Sequence, residues 1–516
     1  MKHRFRLAAA VLTALLFLTL TGCGSGSNSF TWFVDTIPAN LDPQVASAAS
    51  DVIACENLYS GLVRKDPDGQ LEPALCERWE VSADRKTYTF YLKDGLTYTA
   101  AKGTAADCAI TAEDFVFAFR RMFRAATNSP YAVEFSALEN SAEVLAGQLP
   151  ESALGVSASG PLTLVFRLSS PDENFLSKLT LPGAMPCDEA FFNSTRGTYG
   201  LTAKTTLSSG PFYLYNWTSG GLFLRREPSG THIDSLRLVQ NTNNADQSAI
   251  ELINSEKCSA AVDATGSTTS LSSISYSDTT WSLLFNCNTI FSSTELRQAL
   301  AGVARDAAEV PSTELFAAAD SLIPAGLNVD GMNYRDTVGE VSPAAVDVKA
   351  LYLAARQGMA NSDFNKITLM LPAGCGLNEA AETINGAWQK ELSLFFSIEE
   401  VDEETFRKRL AEGDYTIALA PVSAESGSVY NTLAQFTPAG GGLTGYSNAP
   451  QLEASTHANG STRCRLLGDC ERQLLSDCVV VPLFSQQKRL LIASGVKNLI
   501  FDPFGPVLDL TYATKE

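Results

Sequence analysis

Two hydrophobic periodicities divide the chain into strand-like and helix-like segments. Residues 87–92, Thr-Tyr-Thr-Phe-Tyr-Leu, alternate polar and apolar side chains behind a polar turn. This pattern predicts an antiparallel hairpin over residues 79–92. Thr111 precedes an apolar periodic run at residues 115–123, and Asp114 can complete a capping box, so a helix is predicted to start there.

Segments of both kinds continue along the chain and alternate in its second half. Helices are predicted at about 47–62 and at 293–303, 344–357, 378–394 and 404–412. Strands are predicted at 30–34, 162–168, 210–214, 281–286, 366–371, 396–401 and 415–419. The alternation indicates an α/β fold with mixed, partly parallel sheets. Residues 422–451, rich in Ser, Gly and Pro, predict a long functional loop.

The first 29 residues have the composition of an export signal. Three basic residues precede an apolar run over residues 7–20, which is shorter than the roughly 20 residues that cross a bilayer. The run ends at Leu20-Thr21-Gly22-Cys23, which resembles a bacterial lipobox. We therefore predict a signal peptide over residues 1–22, a lipidated Cys23 and a tether over residues 23–29. An uncleaved membrane anchor is the alternative.

The length and charge of the chain limit the number of packed units and the kinds of partner that we expect. Its 516 residues are too many for one hydrophobic core, so two or three packed units are expected. The formal net charge is −19. Because affinity for phosphate backbones comes from Lys and Arg, an acidic chain of this kind predicts no nucleic-acid partner.

Local catalytic motifs are absent from the sequence. It contains no HExxH, no GxxxxGK[ST] phosphate loop and no GxSxG elbow. A catalytic triad assembled from distant residues stays open, with His232 or His457 as the base. Residues 66–69, Asp-Pro-Asp-Gly, predict a tight turn rather than a calcium loop, because no glutamate follows at the closing position.

Ten cysteines follow Cys23, and none forms a CxxC pair. Buried free thiols and scattered disulfides both stay open, and Cys464 with Cys470 is the most local candidate pair. The spacing does not suit zinc. We therefore predict no metal site and no cofactor.

Many short motifs occur in one order along the chain. They include Leu41-Asp42-Pro43 and the segments at 57–63, 66–69, 73–82, 87–95 and 111–117. Over about residues 41–513 this order resembles the bacterial extracellular solute-binding proteins of family 5, the oligopeptide, dipeptide and nickel receptors of ABC importers. Motifs at 129–132, 140–147, 154–156, 210–212, 297–300 and 481–484 narrow the resemblance to the oligopeptide-binding members.

The resemblance implies a three-lobed α/β fold of the periplasmic-binding-protein type, type II with an extra side domain. Lobe I would combine residues 30–60, 197–284 and 486–516, side lobe II would cover 61–196, and lobe III would cover 285–485. Short peptides would bind between lobes I and III, and closure would signal to the transmembrane subunits of an ABC permease. The resemblance implies an exported, non-enzymatic, monomeric protein, held by its lipid on the extracellular or periplasmic side of the cell membrane.

The resemblance also implies a ligand site in which the peptide main chain pairs with protein strands. One edge matches residues 46–49, and the other follows the strand at 415–419. Counting without gaps from Tyr415, the family's tryptophan falls on Val422, and the aspartate that binds the peptide α-ammonium falls on Glu425. The candidate ligand-binding residues are Ser47, Ala48, Ala49, Tyr131, Leu419, Val422 and Glu425.

Two other functions stay open. Val422, Ser426 and Ser428 replace the usual Trp, Tyr and Asp of the anchoring loop, so the solute could be a nickel chelate, haem or a sugar. An exported peptidase is the more remote alternative.

Overall fold

The computed structural model describes residues 28–172, 174–242, 244, 247–424, 427–438, 442–456, 458, 460–504 and 507–516. The predicted signal peptide and Cys23 lie outside these residues, as do Glu425, Ser426 and His457. Ser29, the last residue of the predicted tether, already begins a strand. Within the described ranges, no helix is both long and apolar enough to cross a bilayer.

The structure contains the following strands and helices. The strands are β1 (Ser29–Val34), β2 (Val63–Lys65), β3 (Leu71–Pro73), β4 (Cys76–Val81), β5 (Thr87–Leu92), β6 (Thr97–Ala100), β7 (Ala105–Ala109), β8 (Val156–Ala158), β9 (Thr163–Arg167), β10 (Leu207–Ser208), β11 (Tyr213–Thr218), β12 (Gly221–Arg225), β13 (Ser235–Gln240), β14 (Ala260–Asp263), β15 (Ser272–Phe285), β16 (Phe316–Ala318), β17 (Asn328–Val329), β18 (Met332–Asn333), β19 (Thr368–Pro372), β20 (Ser397–Val401), β21 (Ile417–Ser423), β22 (Val480–Ile492), β23 (Val496–Lys497), β24 (Ile500–Asp502), β25 (Val507–Asp509) and β26 (Thr514–Lys515). The helices are α1 (Ala49–Leu58), α2 (Ala112–Met122), α3 (Ser141–Leu145), α4 (Phe175–Lys178), α5 (Glu189–Ser194), α6 (Ala249–Asn254), α7 (Thr294–Ala307), α8 (Tyr334–Val338), α9 (Val348–Arg356), α10 (Asn378–Leu392), α11 (Glu403–Glu412), α12 (Val429–Ala434), α13 (Pro450–Ser455) and α14 (Gly460–Ser476).

The first region of the fold joins the two ends of the described chain. β1 lies parallel to β13, and the sheet continues through β12 to β11. Buried apolar side chains from residues 30–59, 212–260 and 490–513 form one core with this sheet. Because burial of apolar surface drives this packing, the C-terminal residues complete the core that the N-terminal strand begins.

The second region, residues 62–207, has its own core around the antiparallel sheet β4-β5-β9-β8. β4 and β5 form the predicted hairpin. Helix α2 begins after Thr111 with the predicted capping box, in which the Thr111 N–H donates to Asp114 Oδ2 at 2.7 Å. Both predictions are confirmed, since each depends on residues close in sequence.

The third region, residues 281–484, is built on a seven-stranded mixed sheet of order β14-β22-β15-β21-β19-β20, with β16 beside β22. β19 is parallel to β20 and β21, as the strand-helix alternation predicts. Two clusters of buried side chains pack against this sheet. Trp388 of α10 is fully buried and donates from Nε1 to the carbonyl of Leu300, which ties α10 to α7.

Two long strands connect the first region to the third. β15 has 14 residues and β22 has 13, and they pair along most of their length. Ile274 packs against the first core, while Leu283 lies in the third. Between these points the strand pairing has a bulge at residues 276–279. At this bulge Asp278 forms an ion pair with Lys488, with an N–O distance of 2.8 Å.

Several elements depart from the predicted bounds; the predicted strand at 281–286, for example, is the end of the longer strand β15. The predicted strand at 210–214 starts later, at Tyr213, and the one at 415–419 runs from Ile417 to Ser423. The segment 422–451 is less irregular than predicted because it contains α12, whose N-terminus is capped by Ser428 Oγ accepting from the Asn431 N–H at 3.2 Å.

Among the described residues, the ten cysteines that follow Cys23 form no disulfide with one another. Cys464 and Cys470 are both buried on α14, six positions apart. A helix rises about 9 Å over six residues, which exceeds the Cα–Cα distance that a disulfide spans. This candidate pair is therefore excluded by the helix that carries it.

Candidate functional site

A cavity of about 1170 Å³ lies where the three regions meet. It is lined by residues from the segments 46–69, 130–134, 174–185, 326–331, 427–431 and 499–511, and by side chains of α14. Among the described lining residues, seven are acidic and four are basic. A cleft with this excess of carboxylates attracts ligands that carry positive charge.

Helix α1 presents one of its faces to the cavity. Val52, Glu56 and Tyr59 are spaced at four and three residues, so they share that face and line the cavity together. Asn57 does not line the cavity. Its Nδ2 donates to the Leu508 carbonyl at 2.7 Å, and its Oδ1 accepts from the Leu510 N–H at 3.0 Å, so it bonds the backbone on both sides of Asp509. These bonds hold Asp509 beside Glu56 at the cavity wall.

The two carboxyls at this wall influence each other. Burial and the neighbouring charge of Asp509 raise the pKa of Glu56 to about 8, and Lys65 only partly opposes the rise. Burial also raises the pKa of Asp509, against the opposing hydrogen bonds from Thr511 and the charge of Arg64. At neutral pH the Glu56 carboxyl is therefore largely protonated, so it can donate a hydrogen bond as well as accept one.

The predicted residues Ser47 and Tyr131 line the same cavity. Tyr131 Oη donates to the carbonyl of Ala46 at 2.7 Å, and burial raises the pKa of this phenol. Two residues earlier in each segment, Ser129 Oγ donates to the carbonyl of Gln44. These bonds fix the backbone before α1 against the second region and leave Ser47 exposed at the rim.

The other predicted site residues lie elsewhere. Ala48 is the N-cap of α1 and Ala49 its first residue, so this part of the predicted edge is helical rather than extended, and neither lines the cavity. Leu419 and Val422 are buried inside β21, opposite β15, and do not line the cavity. Glu425 lies outside the described residues, although Ser428 and later residues of α12 line the cavity.

Sequence reasoning missed Glu56, Asp509, Asn174 and Arg463, which all line the cavity. Glu56 had a signal, because it is an acidic residue on an otherwise apolar helical stripe. The other three had none, since they come from distant segments. In the described part of the chain, no cluster of three or more His, Cys, Asp or Glu side chains could hold a metal ion.

The family model of the bacterial extracellular solute-binding proteins, family 5, matches residues 70–443. The chain belongs to this family. The match covers more than half of the chain, and the family consists of solute-binding proteins, so the predictions of the family and of a non-enzymatic role are confirmed. His232, one of the two candidate bases, has its Nδ1 2.9 Å from the main-chain carbonyl of Ser229.

Three relatives of this family-5 protein are named as binding a dipeptide, an oligopeptide and deoxycholate. The dipeptide-binding protein DppE of Bacillus subtilis is 23% identical over 501 residues, which cover 93% of this chain and 90% of DppE. The oligopeptide-binding protein AmiA of Streptococcus pneumoniae is 29% identical over 49% of this chain and 40% of AmiA. The probable deoxycholate-binding periplasmic protein YgiS of Escherichia coli is 31% identical over 35% of this chain. The alignments with AmiA and YgiS span 40% and 33% of those proteins.

Solved structures of similar proteins share the fold. The pheromone receptor PrgZ matches with a TM-score of 0.65 at 22% identity, covering 95% of this chain and 100% of PrgZ. OppA of Listeria monocytogenes bound to peptide matches with a TM-score of 0.65 at 21% identity, covering 95% of this chain and 99% of OppA. The predicted α/β fold of this family is confirmed.

Proposed function

We propose that this family-5 protein is the membrane-anchored substrate-binding protein of a peptide ABC importer. It captures short peptides in the cavity and delivers them to the transmembrane subunits of the permease. The observation that carries the proposal is the cavity itself. Ala46 and Ser47 line it from the segment before α1, and Gly427, Ser428 and Asn431 line it at the start of α12, so a peptide in the cavity contacts both segments.

The distribution of the cores supports closure of the cleft around a ligand. We propose lobe I at 30–60, 197–284 and 486–516, side lobe II at 61–196 and lobe III at 285–485. The separate cores of the three regions support this division, although Leu207, which is proposed for lobe I, packs in the second core. β15 and β22 connect lobes I and III, and a connection of two strands can bend at its bulge. Closure at this point would present a ligand-dependent surface to the permease.

The first prediction tests peptide capture. The mature body, starting after Cys23, is expected to release heat in calorimetry and to gain thermal stability with a mixed pool of short peptides, because a ligand that binds the native state stabilises it. The same amino acids supplied unlinked are the matched control. Absence of both heat and a thermal shift with every peptide would contradict the proposal.

A non-peptide solute is the second candidate, and the name of YgiS favours it. A nickel chelate, haem, a sugar or a bile acid would shift the thermal midpoint where peptides do not. Glu425→Gln separates the two classes further. It should sharply weaken a ligand held by its α-ammonium, because it removes a charge-assisted hydrogen bond, and it should leave a neutral sugar unaffected.

The second prediction tests the anchor. Cys23→Ser is expected to release the full chain from the membrane fraction, since the acyl chains on this cysteine would supply the anchoring energy. Cys108→Ser is the matched control, because it makes the same chemical change on β7, away from the N-terminus, and should stay in the membrane fraction. If Cys23→Ser also sediments with membranes, lipidation at this position is not the anchor.

A further inference from the structure

One segment of the third region, residues 322–335, borders the cavity and contacts both other regions. We call this segment the strap. Residues 326–331 of the strap all line the cavity. The strap contains β17 and β18, which pair as a hairpin with its turn at Asp330 and Gly331.

The strap is bonded to α14 at its start, at its hairpin and at its end. At the start, two main-chain N–H groups donate to Glu471 Oε1 at 3.0 and 3.1 Å. At the turn, Asp330 accepts from the Gly460 N–H at 2.7 Å, and at the end Tyr334 Oη donates to Glu471 Oε2 at 2.9 Å. Hydrogen bonds to charged groups are among the stronger ones in proteins, so the strap moves together with the third region.

The first region contacts the strap through Phe504. Phe501 of β24 packs against the core of the first region, whereas Phe504, three residues later, packs against a core cluster of the third region. A Cβ on Gly326 would lie 3.1 Å from Phe504 Cζ and closer still to Cε2. The ring therefore lies against the backbone of Gly326, and a larger residue at this position would displace it.

The second region contacts the strap through Asn174. This residue is 7% exposed and lies at the start of α4, next to Phe175 of the second core. Gly331 has a φ of 76°, and a Cβ on it would lie 2.7 Å from Asn174 Cγ and 3.0 Å from Asn174 Cβ. Glycine is therefore needed at position 331 for both the backbone angle and the space.

Both contacts join a glycine of the strap to a side chain of another region. Individual packing contacts are weak compared with hydrogen bonds to a buried carboxylate. The strap can therefore separate from Phe504 and Asn174 while it stays bonded to α14. The bulge between β15 and β22 supplies a place where the third region can turn relative to the first.

We propose that the strap closes the cavity around a bound ligand, and that its contacts with Phe504 and Asn174 slow the release of that ligand. The inference rests on the proposed peptide capture and deepens it, because it names the segment that retains the peptide. When the third region turns toward the other two, the strap reaches both of them at the edge of the cavity. Release of the ligand then requires both contacts to break.

Gly326→Ala tests the contact with the first region. The φ angle of Gly326 is not left-handed, so the variant changes the contact without straining the backbone. We expect the dissociation rate constant of the short-peptide pool to rise about tenfold, because the added methyl group displaces the Phe504 ring and overpacks the contact. Stopped-flow fluorescence measures release, with a fluorophore on a lysine side chain of the peptides and an excess of unlabelled peptide. An unchanged release rate would overturn the proposal, and so would a loss of affinity caused by slower association alone.

Gly386→Ala is the matched control. Gly386 lies on α10 in the same region, and an added Cβ there would have no neighbouring atom within 4 Å. This variant should release peptides at the wild-type rate. If Gly386→Ala accelerates release as much as Gly326→Ala does, the effect does not come from the strap contact, and the proposal is wrong.

Phe504→Ala completes a double-mutant cycle with Gly326→Ala. Alone it should also accelerate release, because the strap loses its contact with the first region. In the Phe504→Ala chain, Gly326→Ala should change the rate by less than about twofold, since the methyl group no longer has a ring to displace. Fully additive effects would show that the two residues act separately and would contradict the contact.

Asn174→Ala tests the contact with the second region in the same release assay. We expect faster release, because the side chain that packs on Gly331 is shortened. Release at the wild-type rate would remove the second region from the proposed closure.

Hydrogen exchange tests closure directly. In the wild-type protein, bound peptide should slow exchange at residues 326–331, and Gly326→Ala should reduce this protection. Exchange at the strap that does not respond to peptide would overturn the proposal. A wild-type protein that binds no peptide at all refutes the proposed function, whereas peptide binding with normal release by Gly326→Ala refutes the strap alone.

Discussion

Arg121→Ala is expected to lower the free energy of unfolding by about 3–5 kcal/mol, because it leaves a buried carboxylate without its partner. Arg121 and Asp42 are 3% and 6% exposed. Both Arg121 Nη atoms donate to the Asp42 carboxylate at 2.6 Å, and Nη2 also donates to Gln44 Oε1. The pair joins α2 of the second region to the segment that precedes α1.

The same variant should also weaken peptide binding. Gln44 donates to two main-chain carbonyls of the second region and accepts from Ser129, so it positions Ala46 and Ser47 at the cavity rim. Loss of Arg121 frees one anchor of this segment. We expect a lower urea midpoint by circular dichroism and a lower affinity by calorimetry.

Arg124→Ala is the matched control for Arg121→Ala. Arg124 follows the same helix and pairs with Glu151 at 2.6 Å, but both side chains are more than a third exposed. Exposed pairs contribute about 0–1 kcal/mol, so this variant should unfold close to the wild-type midpoint. If the two variants unfold at the same urea concentration, the buried pair does not have the stabilising role that its geometry indicates.

Glu471→Ala should destabilise the third region by a comparable amount, about 3–5 kcal/mol, through the loss of a fully buried acceptor. Glu471 is 0% exposed. Its carboxylate accepts from the N–H groups of residues 322 and 323 at 3.0 and 3.1 Å, from Tyr334 Oη at 2.9 Å and from Arg335 Nη2 at 3.1 Å. Alanine leaves all four donors without this partner.

These bonds hold both ends of the segment that carries the hairpin tip at Gly331. Faster hydrogen exchange at residues 322–335 is therefore expected in Glu471→Ala, together with a lower urea midpoint. Asp469→Ala on the same helix is the control, because Asp469 pairs with Arg472 at the surface. Unchanged exchange in Glu471→Ala would show that the hairpin is held by other contacts.

The elements that were predicted correctly depend on residues that lie close together in the sequence. The hairpin of β4 and β5 follows from alternation within about 14 residues, and the start of α2 follows from Thr111 and Asp114 three positions apart. Strand bounds were less accurate. β21 extends to Ser423 because it pairs with β15, and that partner lies more than 130 residues away in the chain.

Two of the seven predicted ligand-binding residues line the cavity. Ser47 and Tyr131 line the cavity, whereas Ala48 and Ala49 belong to a helix terminus and Leu419 and Val422 to a buried strand. Counting positions along the chain matches residues of this sequence to positions of the family. The count does not predict which side of a strand a side chain faces, because a register shift of one residue exchanges the two faces.

By itself the sequence determined the family, the α/β class and the local elements, because ordered motifs, hydrophobic periodicity and caps act over a few residues. The tertiary structure decided which polar groups share the cavity. Glu56 meets Asp509 through the hydrogen bonds of Asn57, and Asn174 meets Gly331 across two regions. Contacts between segments more than 150 residues apart arise from the packing of separate cores, and no local pattern encodes them.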